Sequence, residues 1–171
     1  MPTDKTLILN HTQINQKIDR IAYQIVEDNY QETEVVIVGL AQKGYVFAEK
    51  LVEKLQAIST TPVEFNLVKL TLDKGNPLKH KIELDKPTSI LTNKVIILVD
   101  DVLNSGKTLI YGVKFILDYP IKRMSTAVLV DRNNKKYPIG IHYCGLALST
   151  TLKNNISMEI DEKGEINAYL S

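Results

Sequence analysis

Short runs of apolar, β-branched residues alternate along this chain with segments in which apolar residues recur every three or four positions. In residues 12–29 the recurring positions form one helical stripe: Ile14, Ile18, Ile21, Ala22, Ile25 and Val26. This spacing predicts an amphipathic helix. Asn10 or Thr12 could cap its N-terminus, because short polar side chains accept hydrogen bonds from the first free backbone N–H groups.

Three uninterrupted apolar runs have the length of strands buried on both faces: Val35–Gly39, Val95–Val99 and Ala127–Val130. Helical patterns follow the first two runs, from Val46 to Leu55 and from Lys107 to Tyr119, where Pro120 closes the helix. Further strands are predicted over residues 63–72, near 141–144 and near 156–160. This order predicts an α/β fold with a mostly parallel central sheet and helices on both faces.

Residues 73–94 break the alternation. Gly75, Pro77 and Pro87 interrupt them, lysines recur, and only Ile82–Leu84 has the character of an ordered strand. Loops of this length are typically functional or disordered. The sequence leaves two interpretations equally open, a mobile surface excursion and a lid over an active site.

Composition narrows the class of protein. The 171 residues, 44% hydrophobic and 24% charged, predict one domain over residues 1–171. A single cysteine, Cys144, excludes a disulfide framework and a cysteine-based zinc site, and it favours a reducing cytoplasm. We expect a cytoplasmic protein that does not cross a membrane, because neither a signal segment nor a run of about 18 apolar residues is present. The net charge of +1 gives no global attraction to nucleic acid or anionic lipid.

The strongest chemical signal is the segment from Val99 to Thr108, which runs from a buried strand into a predicted helix. Unpaired N–H groups and the helix dipole favour an anion at such a helix start, so residues 105–108 could hold a phosphate monoester. Asp100 and Asp101 stand at the expected end of the strand, where they could accept hydrogen bonds from two vicinal hydroxyls. The alternative role for them is to cap the helix.

Two other nucleotide-binding motifs are excluded. Gly106-Lys107-Thr108 matches the end of a Walker motif, but the glycine required five positions before Gly106 is Asp101. No three glycines have the spacing of a dinucleotide fingerprint.

The sequence Val-Asp-Asp-Val-Leu-Asn-Ser-Gly-Lys-Thr at residues 99–108 resembles the phosphoribosyl pyrophosphate (PRPP) motif of type I phosphoribosyltransferases. Residues 7–9 with the first helix, 37–44 and 127–132 are similar to the corresponding parts of bifunctional pyrimidine-operon attenuation regulators and uracil phosphoribosyltransferases. The resemblance implies the type I fold with a flexible active-site loop and a small hood, Mg²⁺, PRPP as co-substrate and a homodimer or higher homo-oligomer.

The same resemblance implies roles for individual residues. Asp100 and Asp101 would hold the ribose hydroxyls and the magnesium-bound PRPP, and Lys43 and Lys74 would act with them on the leaving group. The 5′-phosphate would lie on Asn104, Ser105, Gly106, Lys107 and Thr108. The pyrophosphate would lie on Leu40, Ala41, Gln42, Lys43 and Gly44. The base would lie near Val130, Asp131 and Arg132.

The pyrophosphate assignment also has a basis in the residues themselves. Gly39 and Gly44 flank a tight connection between strand and helix, so backbone amides could face a diphosphate while Lys43 offsets its charge. An ordinary turn between strand and helix is the alternative.

Three segments depart from the family pattern. Residues 71–76 read Thr-Leu-Asp-Lys-Gly-Asn where the family has Thr-Leu-Tyr-Arg-Asp-Asp, so Lys74 replaces an arginine and loses its planar fork. Asn104 replaces the aspartate of purine-type members and the tyrosine of pyrimidine-type members. An amide cannot take a proton, so a purine is less favoured than uracil. Residues 142–146 also differ from the family segment.

We expect an Mg-dependent transfer of ribose 5-phosphate from PRPP to a nucleobase, with uracil the favoured acceptor. Two alternatives remain, an RNA-binding regulator of pyrimidine genes and a catalytically idle PRPP or nucleotide sensor. Cations on the expected RNA face survive at Lys17, Arg20, Lys135 and Lys136, but acidic residues interrupt them. Loss of RNA binding is therefore favoured over retention.

Overall fold

A computed structural model describes residues 4–151 and 154–171. Its elements in chain order are β1 (Thr6–Leu9), α1 (His11–Asn29), β2 (Glu34–Leu40), α2 (Lys43–Ile58), β3 (Glu64–Thr71), β4 (Glu83–Leu84), a 3₁₀ helix (Thr88–Leu91), β5 (Val95–Leu103), α3 (Lys107–Leu117), β6 (Arg123–Asp131), β7 (Tyr143–Ala147), β8 (Ile156–Ile160) and β9 (Ile166–Leu170). None of the helices in these described ranges is long and apolar enough to span a membrane.

Six strands form the main sheet in the order β4-β3-β2-β5-β6-β7. All neighbours in it are parallel except the pair of β3 and β4. Alternate side chains of β2 enter two separate cores: Val35 and Ile37 pack with α1 and α2, and Val36 and Val38 pack with α3 and the 3₁₀ helix. The predicted α/β fold with helices on both faces is confirmed.

A smaller antiparallel sheet, β1-β9-β8, forms the hood. The start of α1 holds it in place, because the backbone N–H of His11 donates to Asn167 and the His11 ring accepts from the N–H of Ile166. Met158 and Ala168 bury their side chains in the core that α1 shares. The sequence predicts β8 but not β9, because the short alternating pattern of β9 lacks an uninterrupted apolar run.

Several predicted boundaries were wrong. β5 was expected to end at Asp100-Asp101, yet it continues to Leu103, because Val102 and Leu103 still pair with β6. β7 lies at Tyr143–Ala147 instead of residues 141–144, in register with the end of β6. α2 begins at Lys43, so only Ala41 and Gln42, joined by a cis peptide bond, connect it to β2.

The segment 73–94 contains more regular structure than the sequence indicated. β4 pairs with β3 at the edge of the main sheet, and the 3₁₀ helix buries Leu91 in the second core. Asp85 accepts a hydrogen bond from the backbone N–H of Lys69. Within residues 73–94, the stretches without strand or helix are therefore 73–82, 85–87 and 92–94, and the first of these carries Lys74.

Candidate active site

A cavity of about 340 Å³ opens at the carboxyl end of β5. It is lined by consecutive residues from Asp100 to Leu109, by Lys43 and Lys74 from two other parts of the chain, and by Ile156 and Ser157 of the hood strand β8. The fold therefore brings the predicted carboxylates, the predicted phosphate loop and both predicted lysines into one cavity.

The two carboxylates lie inside β5, which explains why they are so little exposed. Asp100 is 3% exposed and Asp101 is 8% exposed. Burial, together with the negative charge of Asp101, raises the pKa of Asp100 far above its usual range. Because burial and mutual repulsion destabilise two negative charges at this position, the pair favours a cation or hydrogen-bond donors that offset them.

Lys74 supplies positive charge to this pair. Its Nζ lies 3.1 Å from Oδ1 of Asp100 and 3.8 Å from Oδ1 of Asp101. Burial lowers the pKa of Lys74, but the charges of the two aspartates outweigh that effect and leave the pKa raised. Lys74 therefore remains an ammonium ion above both carboxylates.

Gly44 allows the start of α2 to approach the carboxylates. A Cβ at this position would lie 2.7 Å from Oδ1 of Asp100 and 3.0 Å from its Cα. Any larger residue would push α2 away from β5. The family resemblance implies that Gly44 contacts pyrophosphate, and the structure adds this packing requirement.

The loop before α3 has the geometry of an anion cradle. Gly106 precedes the helix with φ of 86°, and the hydroxyl of Ser105 accepts from the N–H of Lys107 at 3.2 Å. The carbonyl of Ser105 accepts from the N–H groups of Lys136 and Tyr137 at 2.8 and 3.1 Å. These hydrogen bonds fix the loop at Ser105, so the N–H groups at the start of α3 are held at the cavity.

Lys107 connects this loop to the segment that carries Lys74. Its Nζ donates to the carbonyl oxygen of Gly75 at 3.1 Å. Asp73 shapes the same segment by accepting from the N–H groups of Gly75 and Asn76, both at 3.0 Å. Two contacts therefore hold this segment against the cavity: Lys74 of the segment contacts Asp100, and Lys107 of the loop contacts Gly75.

The residues predicted near the base occupy a separate position. Val130, Asp131 and Arg132 follow one another at the end of β6 and do not line the cavity in the described structure. Arg132 is 6% exposed, and its guanidinium donates to Oδ1 of Asn104 at 2.8 Å. Asn104, which does line the cavity, is thus the contact between this group and the site.

The predicted pyrophosphate loop is only partly inside the cavity. Lys43 lines it, while Leu40, Ala41, Gln42 and Gly44 are not among its described lining residues. Gln42 and Lys43 border an adjoining hollow of about 430 Å³ that also reaches Glu159 on the hood. The loop therefore lies between the carboxylate cavity and the hood.

Ile156 and Ser157 also line the cavity, although no sequence motif indicates a role for them. The sequence predicted a short strand near them but carried no signal for where that strand lies. Their place depends on the pairing of β8 with β9 and on the contacts of β9 with α1.

The donor set suits a divalent cation that prefers oxygen ligands. Asp100 and Asp101 present carboxylate oxygens to the same ammonium group, and Mg²⁺ binds through one or two carboxylates with water and phosphate oxygens completing its shell. Within residues 4–151 and 154–171, no three histidine, cysteine, aspartate or glutamate side chains converge on one point. The site thus fits a metal that arrives with a phosphorylated ligand better than a metal held by protein alone.

The chain is similar to known proteins both in sequence and in fold. The family model described as "Phosphoribosyl transferase domain" matches residues 5–163. The bifunctional protein PyrR of Fusobacterium nucleatum is 30% identical over 175 residues, covering 97% of this chain and 98% of its own. The bifunctional protein PyrR of Bacillus subtilis is 30% identical over 168 residues, covering 92% and 91%. A solved hypoxanthine-guanine phosphoribosyltransferase from Bacillus anthracis shares the fold, with a TM-score of 0.73 at 20% identity over 96% of this chain and 97% of that one.

Proposed function

The chain belongs to the phosphoribosyl transferase family, and from this premise we propose that it transfers ribose 5-phosphate from PRPP to uracil and releases pyrophosphate. One observation carries the proposal: a single cavity joins two buried carboxylates, Lys43, Lys74 and the loop before α3 that is predicted to hold a phosphate. The uracil assignment is supported by the resemblance to pyrimidine-operon regulators and by the relatives named bifunctional protein PyrR.

PRPP binds along the loop that follows β5. Asp100 and Asp101 accept hydrogen bonds from the two ribose hydroxyls, and such bonds to charged groups are worth about 1.5–3 kcal/mol each. The 5′-phosphate lies on the backbone N–H groups of residues 104–108, where Lys107 and the hydroxyls of Ser105 and Thr108 add to the binding.

Transfer breaks the bond between C1′ and the pyrophosphate oxygen, and the electron pair leaves with pyrophosphate. The base nitrogen forms the new bond to C1′, and its proton passes to the departing pyrophosphate. Lys43 and Lys74 offset the negative charge that gathers on the leaving group. Lys74 does so by exchanging its contacts with the carboxylates for the pyrophosphate, and the segment that carries it excludes water.

Asp100 and Asp101 are the residues that would hold Mg²⁺ together with bound PRPP. When bound, the ion supplies Lewis-acid neutralisation of the pyrophosphate. The protein forms a homodimer or higher homo-oligomer in the cytoplasm under this proposal, as the family resemblance implies.

The test is chromatographic detection of nucleotide and pyrophosphate after incubation with magnesium, PRPP and one base from a panel of uracil, orotate, hypoxanthine, guanine, adenine and xanthine. We expect UMP from uracil and little product from the other bases. Conversion of a purine alone would overturn the uracil assignment. Binding of PRPP or UMP without turnover of any base would favour the idle sensor.

The roles of the carboxylates are tested by the double variant Asp100→Asn and Asp101→Asn. We expect turnover to fall by at least about a thousandfold, in the range reported for removal of groups that stabilise the transition state directly. Circular dichroism should show the fold retained, since the amides are close in size. The control is Asp118→Asn, the same change at an exposed position after α3. Activity of the double variant near that of the control would refute the assignment.

A further inference from the structure

Arg132 is a buried cation whose contacts are made with the protein itself. It is 6% exposed, and its guanidinium donates to Oδ1 of Asn104 at 2.8 Å, to Oγ1 of Thr150 at 3.0 Å and to the carbonyl of Thr151 at 3.3 Å. Its backbone N–H also donates to the carbonyl of Leu103 at 3.2 Å. These hydrogen bonds fix the positions of the groups around Arg132, including the Asn104 side chain.

The contact with Asn104 determines how that amide is oriented. A guanidinium has only donors, so the atom of Asn104 that faces it must be the oxygen. The amide NH₂ group then points away from Arg132. Within the described part of the chain, this is the hydrogen bond that the Asn104 side chain makes, and no buried side-chain nitrogen or oxygen there lacks a partner. The NH₂ group is therefore accessible, and Asn104 lines the cavity.

The NH₂ group of Asn104 lies on the side of the cavity where the base is expected. With the ribose on the β5 carboxylates and the 5′-phosphate at the start of α3, the side of the cavity toward β6 is left for the base, and Arg132 lies at the end of β6. We propose that Asn104, oriented by Arg132, determines base specificity by donating a hydrogen bond to a carbonyl oxygen beside the reacting nitrogen, so that the site takes oxo-pyrimidines. This deepens the proposed function and rests on it.

The positive charge behind the amide strengthens this selection. Donation from Arg132 to Oδ1 polarises the amide and makes its N–H groups better donors, because hydrogen bonds in a chain reinforce one another. A base that presents an N–H group at this point would meet another donor. Arg132 is thus a positioning residue, and Asn104 is the group that contacts the base.

The test compares two ligands that differ only in the base, UMP and ribose 5-phosphate, by calorimetry. The ratio of their dissociation constants isolates the base contacts and needs no turnover. We expect Asn104→Asp and Asn104→Leu to lower the advantage of UMP by about tenfold or more, the equivalent of a lost hydrogen bond in a low-dielectric site. Binding of ribose 5-phosphate should weaken less than binding of UMP, because residues 104–108 hold the 5′-phosphate through backbone N–H groups and not through the Asn104 side chain. The matched control is Asn133→Asp, the same change at a residue outside the lining of the cavity.

The role of Arg132 is tested by a double-mutant cycle. Arg132→Met alone should reduce the advantage of UMP, whereas Arg132→Met in an Asn104→Leu background should reduce it no further, because Arg132 acts through Asn104. If Arg132→Met does not fold, Arg132→Lys replaces it in the cycle.

Two results would overturn the inference: an unchanged advantage of UMP in Asn104→Asp, or equal weakening of UMP and ribose 5-phosphate. Additive effects in the cycle would overturn the role of Arg132. Failure of the proposed function looks different, since the wild-type protein would then convert no base even if the binding ratios behaved as expected.

Discussion

Gly106 has a backbone conformation and a neighbour that both exclude a side chain. Its φ is 86°, and a Cβ would lie 2.6 Å from Cγ2 of Ile139. We predict that Gly106→Ala lowers the free energy of unfolding by about 1–2 kcal/mol, the cost of a left-handed conformation for other residues. PRPP affinity should fall as well, because the same loop cradles the phosphate.

Gly140 is the control for this substitution, because a Cβ there meets no atom within 4 Å and its φ is not positive. Gly140→Ala should leave stability unchanged or slightly raised. Urea denaturation and calorimetry of PRPP binding measure both effects. Equal stability and affinity of the two variants would contradict the strain argument.

Lys74 contacts both carboxylates before any substrate is bound, so its removal should separate binding from catalysis. We predict that Lys74→Gln lowers kcat by about tenfold or more, since the leaving group loses a cation in the transition state. The KM for PRPP should stay the same or fall, because the ligand no longer displaces an ion pair. Lys79→Gln, an exposed lysine on the same segment, serves as control. A rise in KM with unchanged kcat would assign Lys74 to ground-state binding instead.

The start of α1 shows where a helix signal in the sequence leaves a choice. Both Asn10 and Thr12 were possible caps, and the structure assigns the cap to Asn10 in a reciprocal pair with Gln13. We predict that Asn10→Ala lowers the free energy of unfolding by about 1 kcal/mol. Thr12→Ala, inside the helix and exposed, should change it by less than about 0.5 kcal/mol. Chemical denaturation measures both, and a larger loss for Thr12→Ala would reverse the assignment.

The charge distribution of the whole protein bears on RNA binding. The net charge is +1, and two of the four candidate cations are engaged. Arg20 donates to the carbonyls of Cys144 and Gly145 at 2.8 and 2.6 Å, and Lys135 lies 3.7 Å from a carboxylate oxygen of Asp131. These contacts support the expectation that RNA binding is lost.

We predict that the protein does not retard the leader RNA of a pyrimidine-synthesis operon in a gel-shift titration at about 0.15 M salt, with or without UMP, because two of the four candidate cations are engaged with the protein and phosphate contacts need such cations. An unrelated RNA of equal length is the control for non-specific binding. A shift that is specific to the leader and weakens as salt rises would contradict the prediction and support the hypothesis of an RNA-binding regulator.

Much of the fold and part of the candidate site could be read from local patterns. Uninterrupted apolar runs predict β2, β5 and β6, because these strands are buried on both faces. Apolar residues three or four positions apart predict α1 and α2. Asp100, Asp101 and residues 104–108 stand together because they are contiguous, so their proximity needs no long-range contact. The identity of the family followed from that same contiguous segment.

Contacts between residues far apart in the chain could not be predicted from the sequence. The length of β5 past its apolar run depended on pairing with β6, and Leu91 became a core residue through packing against the second face of the sheet. Ser157 reached the cavity through the hood sheet, and Arg132 reached Asn104 across 28 positions of chain. The pattern of apolar and polar residues determines which side chains are buried and which local structure each segment forms. Which segments pack together depends on the strand order and on the shape of the assembled core, and no local pattern encodes either.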